Sequence, residues 1–229
     1  MASLYLIRHG QASFGKDNYD QLSERGWEQG RVLGRWLSGK VLPGAVVGGN
    51  LQRHRETVEA MASGFAGTLP GMQAIAGFDE FDHNEVIERF RPEWADRAVM
   101  ARDLAAFPKP ARAFQEAFVR AVERWAGGHH DSEYTETWPA FKLRVQTALQ
   151  ALIEYADGAD VLVSTSGGPI SVIVQMLLEL SDRKALALNE VIANTSVTRV
   201  LYSGARRNLS VFNNYSHLEA EDPALVTFR

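Results

Sequence analysis

The 229-residue sequence contains no cysteine, which excludes disulfides, thiolate nucleophiles and Cys-based metal sites. It has no apolar run of the length that a membrane-spanning helix needs. Its first residues, Met1-Ala2-Ser3-Leu4-Tyr5-Leu6-Ile7, meet Arg8 and His9 too soon for a signal peptide, so the expected location is the cytoplasm. Positive charge is not in excess: 24 Lys and Arg against 28 Asp and Glu give a formal net charge of -4. That balance argues against a general nucleic-acid or anionic-membrane binder, though it leaves room for a local basic pocket. Linkers, internal repeats and low-complexity segments are absent as well. What is present is an ordinary globular mixture, 45% hydrophobic and 23% charged, with enough apolar material for a core. The length suits a single domain over residues 1–229, carrying a helical insertion at about 85–137.

Short apolar runs at residues 4–7, 46–47 and 161–163 read as buried strands. Residues 196–202 and 209–212 read as two more, joined by the turn Gly204-Ala205-Arg206-Arg207. Residues 11–21 are polar and read as a loop, and residues 71–77 as a loop leading into a third strand. Ser23 is placed to cap a helix running to about Ser38. Gly26, Gly30 and Gly34 recur every four residues on that helix and let it lie close against a sheet. Helices are expected over residues 52–62 and 85–107, the latter broken by Pro108 and Pro110. Helical spacing also links Phe114, Phe118, Val122 and Trp125. Pro139 suits the first turn of a further helix carrying Phe141, Val145, Leu149 and Leu152. Another apolar helix runs to about Leu180. Strands separated by helices predict an α/β three-layer αβα sandwich with a mostly parallel central sheet. Sites in such sheets lie at the carboxyl ends of the strands. Two strands here end in unusual loops, Arg8-His9-Gly10 and Ser166-Gly167-Gly168.

Arginine offers a fixed fork of donors suited to phosphate. Histidine can serve as nucleophile, base or metal ligand, and glycine lets backbone approach a ligand. On the tripeptide alone, a strand-end turn with a solvated arginine is an equally good reading. The wider pattern is more specific. Leu4-Tyr5-Leu6-Ile7-Arg8-His9-Gly10 resembles the signature of the histidine phosphatase (phosphoglycerate-mutase-like) superfamily. Leu22-Ser23-Glu24-Arg25-Gly26-Trp27-Glu28-Gln29 is similar to its second segment, and Asn50-Leu51-Gln52-Arg53-His54-Arg55-Glu56-Thr57 to its third. Phe78-Asp79-Glu80-Phe81 stands where that family places its acidic residue, and residues 161–168 match its late strand and Gly-Gly turn.

The resemblance implies phosphomonoester hydrolysis through a phosphohistidine on His9, with Arg8 and Arg53 on the phosphoryl oxygens and Glu80 as acid and base. Ser166 and Gly167 would complete the phosphate site. No cofactor or metal is implied, and the partner is a small phosphorylated substrate. The sequence departs from the pattern at Ser166, where the superfamily has a second histidine. A serine hydroxyl donates without bringing positive charge, and losing one preorganised donor costs about a hundred- to a thousand-fold in rate. His54 and His83 are candidates to compensate, and replacing Ser166 by histidine is expected to raise activity. The loop Gln11-Ala12-Ser13-Phe14 and the residues after Glu80 depart from the mutase pattern, favouring a phosphatase-like branch over a phosphosugar mutase. The insertion is expected to shape one side of the pocket. The competing class is a noncatalytic phosphate-ligand or phosphoprotein-binding module.

Other motifs carry less. Ser164-Thr165-Ser166-Gly167-Gly168 lacks the first glycine of a nucleophile elbow. His129-His130-Asp131 is a poor chelate pattern on a Gly-flanked loop. Arg53-His54-Arg55 has no aromatic platform for nucleic acid. The aromatic residues of the middle helices read as core.

Overall fold

A computed structural model describes residues 1–13 and 20–228. The chain forms two compact units, Met1–Glu80 with Val145–Arg229, and Phe81–Arg144. The first contains a six-stranded sheet in the order β3-β2-β4-β1-β5-β6. Its strands are β1 (Ala2–Arg8), β2 (Ala45–Gly48), β3 (Met72–Ala74), β4 (Val161–Thr165), β5 (Val197–Ser203) and β6 (Arg206–Asn214). The β3, β2, β4 and β1 pairings are parallel, whereas β5 is antiparallel to both β1 and β6. This is the mostly parallel α/β sheet that the alternation of strands and helices predicts. Apolar runs without alternation suit strands covered on both faces, and β1 is buried along Ala2–Ile7.

Four helices of this unit frame the site: α1 (Glu24–Leu37), α2 (Gln52–Gly64), α7 (Gly167–Leu178) and α8 (Asp182–Val191). Tyr5, Ile7, Val46, Leu162 and Val197 from the sheet share one core with Leu33 and Leu37 of α1 and Val58 and Met61 of α2. Ser23 caps α1, accepting the Gly26 amide at 3.1 Å. In the glycine stripe of α1, Gly30 and Gly34 face a helix and not a sheet, which corrects the expectation, while Gly26 lies against Gln11 just after β1. A Cβ at Gly34 would lie 2.0 Å from the Met61 carbonyl oxygen, and one at Gly30 would lie 2.5 Å from the Ala60 Cβ. The absent side chains therefore let α1 and α2 touch backbone to backbone.

The second unit contains α3 (His83–Phe90), α4 (Arg97–Ala105) and α5 (Pro110–Ala126), and α6 (Trp138–Ala156) begins in it. Its core is aromatic. Trp125 lies 4.6 Å from Phe81 and 5.3 Å from Trp138, ring centroid to centroid. The Trp125 indole N–H donates to the Glu136 carbonyl at 2.7 Å, so burial leaves no polar atom of this ring unpaired.

Two other local expectations need correction. Residues 85–107 do not form one helix, because α3 stops at Phe90 and Arg91 takes φ -133° and ψ 79°. Pro92, which follows, disfavours helical backbone at Arg91 and cannot donate to the ladder. A 3-10 turn over Pro92–Ala95 still buries Trp94. Residues 71–77 hold β3 itself, and no strand follows; Ala76–Phe78 is a 3-10 turn. The loop expected over residues 11–21 falls partly on 14–19, outside the described residues. At its ends Ala12 forms an antiparallel bridge with Leu22.

Candidate active site

Parallel pairing of β1 with β4 sets Arg8 opposite Thr165, so His9 and Ser166 are the next residues at two adjacent strand ends. His9 is 6% exposed. Its amide donates to the Thr165 carbonyl at 2.8 Å, and its own carbonyl accepts the Asn194 side-chain amide at 2.9 Å. The imidazole Nδ1–H donates to the Gly10 carbonyl at 2.7 Å, which assigns the lone pair to Nε2. Burial, with Arg53, Arg8 and His54 nearby, holds its pKa well below the ordinary 6.5, although the Gly10 carbonyl pulls the other way. His9 is therefore neutral at pH 7. Gly10 is tightly held: a Cβ there would lie 2.5 Å from the Gly26 carbonyl oxygen, and its amide donates to Thr57 Oγ1 at 2.9 Å.

Arg53 lies in the first turn of α2 and is 6% exposed. One terminal nitrogen pairs with Asp20 Oδ1 at 2.8 Å, and Asp20 also accepts the Gln52 amide at 2.8 Å. Arg8 donates from a terminal nitrogen to the carbonyls of Ile192 and, at 3.1 Å, Phe228. Both guanidinium groups are thus held in place by protein contacts. Glu80 Oε2 accepts the Gly168 amide at 3.1 Å, in the first turn of α7. The segment leading to it is anchored to β4, since Thr165 Oγ1 donates to the Phe78 carbonyl at 2.6 Å.

Ser166 stands at the start of α7 and is fully buried. Its Oγ lies 2.7 Å from His54 Nε2. Gly167 has no room for a side chain, because a Cβ would meet Asn189 Oδ1 at 2.1 Å. His54 is fully buried, and its ring centroid is 5.8 Å from that of His9. Burial, helped by Arg53, lowers the His54 pKa to about 3 against a backbone hydrogen bond at Gly49. His83, the other histidine weighed from the sequence, belongs to the second unit and lies edge-on to Phe81 and Phe118.

These contacts link Arg8, His9, Arg53, His54, Glu80, Ser166 and Gly167 within the first unit. The pairing of His54 with Ser166 brings together residues 112 apart, which no sequence spacing could reveal. Asp20, Asn194 and Thr195 were not foreseen either. Thr195 donates its amide to the Arg8 carbonyl at 2.9 Å from a left-handed conformation, φ 54°. Of the other motifs, His129-His130-Asp131 lies at the surface, where His130 Nδ1 is 2.9 Å from Glu133.

The sequence matches the model of the histidine phosphatase superfamily (branch 1) over residues 4–125 and 107–215. The chain belongs to that superfamily. Solved histidine phosphatase-like folds agree. The phosphoglycerate mutase from Bacillus anthracis str. Sterne is similar at TM-score 0.65 and 17% identity, covering 95% of each chain. Bacillus stearothermophilus YhfR gives 0.66 and 18%, over 95% of this chain and 100% of that one. Phosphoserine phosphatase from Entamoeba histolytica, in complex with 3-phosphoglyceric acid, gives 0.64 and 16%, over 95% and 100%. At such identities the likeness establishes the phosphoglycerate-mutase-like α/β fold. Among curated proteins, none matches the sequence.

Proposed function

We propose that the chain is a cofactor-independent phosphomonoesterase acting on a small phosphorylated substrate through a phosphohistidine on His9. The observation that carries this reading is the state of that ring: buried, neutral, with Nδ1–H held by Gly10 and, among the described residues, no partner on Nε2. The Nε2 lone pair attacks phosphorus while the ester P–O bond breaks. Glu80, in its acid form, gives its proton to the departing alkoxide. Water then attacks the phosphohistidine, Glu80 takes the proton, the P–N bond breaks, and inorganic phosphate leaves with His9 restored. Arg8 and Arg53 hold the nonbridging oxygens throughout, and the amides at the start of α7 with Ser166 and Gly167 add donors where charge builds.

Belonging to the histidine phosphatase superfamily supports phosphoryl transfer as the chemistry. The noncatalytic alternative draws on one observation, the uncharged Ser166 beside His9, but it gives no role to that Nε2. His9→Ala is expected to abolish turnover of p-nitrophenyl phosphate, and Arg53→Ala to weaken inhibition by inorganic phosphate as well as turnover. An acid-labile, base-stable phosphoryl label should form on the wild type and not on H9A. Turnover by H9A at the wild-type rate would move the chemistry to another residue.

A further inference from the structure

Three polar residues with no part in the reaction just described close a circuit of hydrogen bonds around the nucleophile. Gln29 and Asn194 are fully buried, and Thr227 joins them. The Asn194 side chain donates to the His9 carbonyl at 2.9 Å, and its Oδ1 accepts the Thr227 hydroxyl at 2.9 Å. Thr227 Oγ1 accepts the Gln29 side chain at 2.8 Å, and Gln29 Oε1 accepts the Gln11 amide at 2.8 Å. Gln29 also donates to the Leu225 carbonyl at 2.6 Å. Every proton in this circuit has one possible direction. A backbone carbonyl only accepts and a backbone amide only donates, so the side-chain nitrogens of Asn194 and Gln29 face the carbonyls of His9 and Leu225. Their oxygens then face Thr227 and Gln11, and the one hydroxyl proton of Thr227 goes to Asn194.

The circuit begins and ends on the two peptides that flank Gly10. The Gly10 carbonyl holds the His9 Nδ1–H at 2.7 Å. A peptide group is planar and trans, so its N–H and C=O point opposite ways. By holding the Gln11 N–H, Gln29 therefore fixes the direction of the Gly10 carbonyl. Asn194 fixes the preceding peptide at its carbonyl, while Thr57 Oγ1 accepts the N–H of the same peptide at 2.9 Å. Burying primary amides is costly unless their polar atoms are paired. Committing two of them to these two peptides calls for a role in aiming the imidazole.

We propose that Thr227 is a positioning residue for His9: through Gln29 and Asn194 it fixes the two peptides that orient the imidazole, so that Nε2 meets phosphorus in line with the leaving oxygen. The inference rests on the phosphomonoesterase reading of the site. Thr227 acts on His9 only through those two side chains, whose separate grips its hydroxyl joins into one. Its backbone carbonyl also accepts the Asn194 amide at 2.8 Å, so the two residues stay side by side when the hydroxyl alone is removed.

Thr227→Val keeps the shape of the side chain and removes the hydroxyl. For p-nitrophenyl phosphate, kcat should fall by roughly ten- to a hundredfold, the scale of loss that an ångström of misplacement brings. KM and inhibition by inorganic phosphate should stay within about twofold, because Arg8 and Arg53 are untouched. Thr227→Ser restores the hydroxyl and should return kcat to near the wild-type value. A wild-type kcat in T227V, a loss carried by KM alone, or a serine variant as slow as the valine one would each overturn the proposal. Amide hydrogen exchange of the unmodified protein needs no variant to fold. The Gln11 amide should exchange slower than an open amide by roughly a thousandfold or more. Exchange at the open rate would mean that the circuit does not close in solution, and the proposal would fall with it. Measuring H9A beside these variants separates the two claims. If H9A keeps the wild-type rate, the phosphohistidine reading falls. If H9A is dead and T227V is not impaired, only the role of Thr227 falls.

Discussion

At the scale of single residues, the site is governed by what surrounds each group more than by its type. From the sequence, a histidine at position 166 is expected to raise activity by adding a charged donor. The surroundings of Ser166 argue for the opposite outcome. Ser166 is fully buried with its oxygen 2.7 Å from the His54 ring, so a second imidazole has no space beside the first. Overpacking of this kind commonly costs about 1–3 kcal/mol. Ser166→His alone is expected to lower the urea midpoint by an amount of that order and to reduce phosphatase activity. The double variant S166H/H54A removes the obstructing ring, and it should recover both stability and turnover. A single variant as stable and active as the wild type would show that the wall around His54 gives way easily.

At the scale of elements, stability is unevenly shared. The helix α4 buries none of its side chains and relies on its cap. Asp96 Oδ1 accepts the amides of Ala98 at 2.8 Å and Val99 at 3.4 Å. Removing such a cap costs about 1 kcal/mol, which here falls on the local opening of one short helix. Asp96→Ala should speed hydrogen exchange at the first amides of α4 about fivefold, with the global urea midpoint unmoved. A midpoint that drops with it would mean that α4 unfolds only with the whole chain. Elements of this kind also mark where sequence reading succeeds. Ser23 and Ser38 bound α1 where they were expected to, because capping is local chemistry. Strands β1 and β4 are legible because a strand covered on both faces must be apolar throughout. The break at Pro92 was readable and overlooked, outweighed by the apolar period that continues to Trp94. The partner of the glycine stripe on α1 was not readable, since a flat face fits a helix as well as a sheet. Arg8, His9, Arg53, Glu80 and Ser166 stood out by motif. Their supports, Asp20, Asn194 and Thr195, come from tertiary contacts that no local pattern encodes.

The whole molecule carries a consequence of burying neutral histidines. His9, His54 and His217 all have depressed pKa values, His54 to about 3 and His217 to about 4. A histidine of this kind binds its proton more readily when unfolded. Its contribution to stability is complete above the ordinary value near 6.5 and is lost as pH falls toward the folded value. Each such group changes stability by about 1.4 kcal/mol per pH unit within its window. His54 and His217 together can remove roughly 4–5 kcal/mol between pH 6.5 and 4.5, close to the lower end of an ordinary domain's total stability, about 5–15 kcal/mol. The urea midpoint is expected to fall steeply over that range, and His217→Gln should flatten the slope. A midpoint constant from pH 7 to 5 would rule out this account.

The order of strands in the sheet also bears on how the protein is made. β1 is synthesised well before both of its neighbours, β4 and β5; Ser3, for instance, donates its amide to Asp160, 157 residues further on. Until β4 is synthesised, a strand whose Leu4, Leu6 and Ile7 are fully buried in the finished protein has no edge to join. At ordinary rates of synthesis, about 5–20 residues per second, that wait is on the order of ten seconds. The nascent chain thus carries His9 next to an unpaired, aggregation-prone segment. An unpaired apolar strand held for that long is where a holdase would act on this chain.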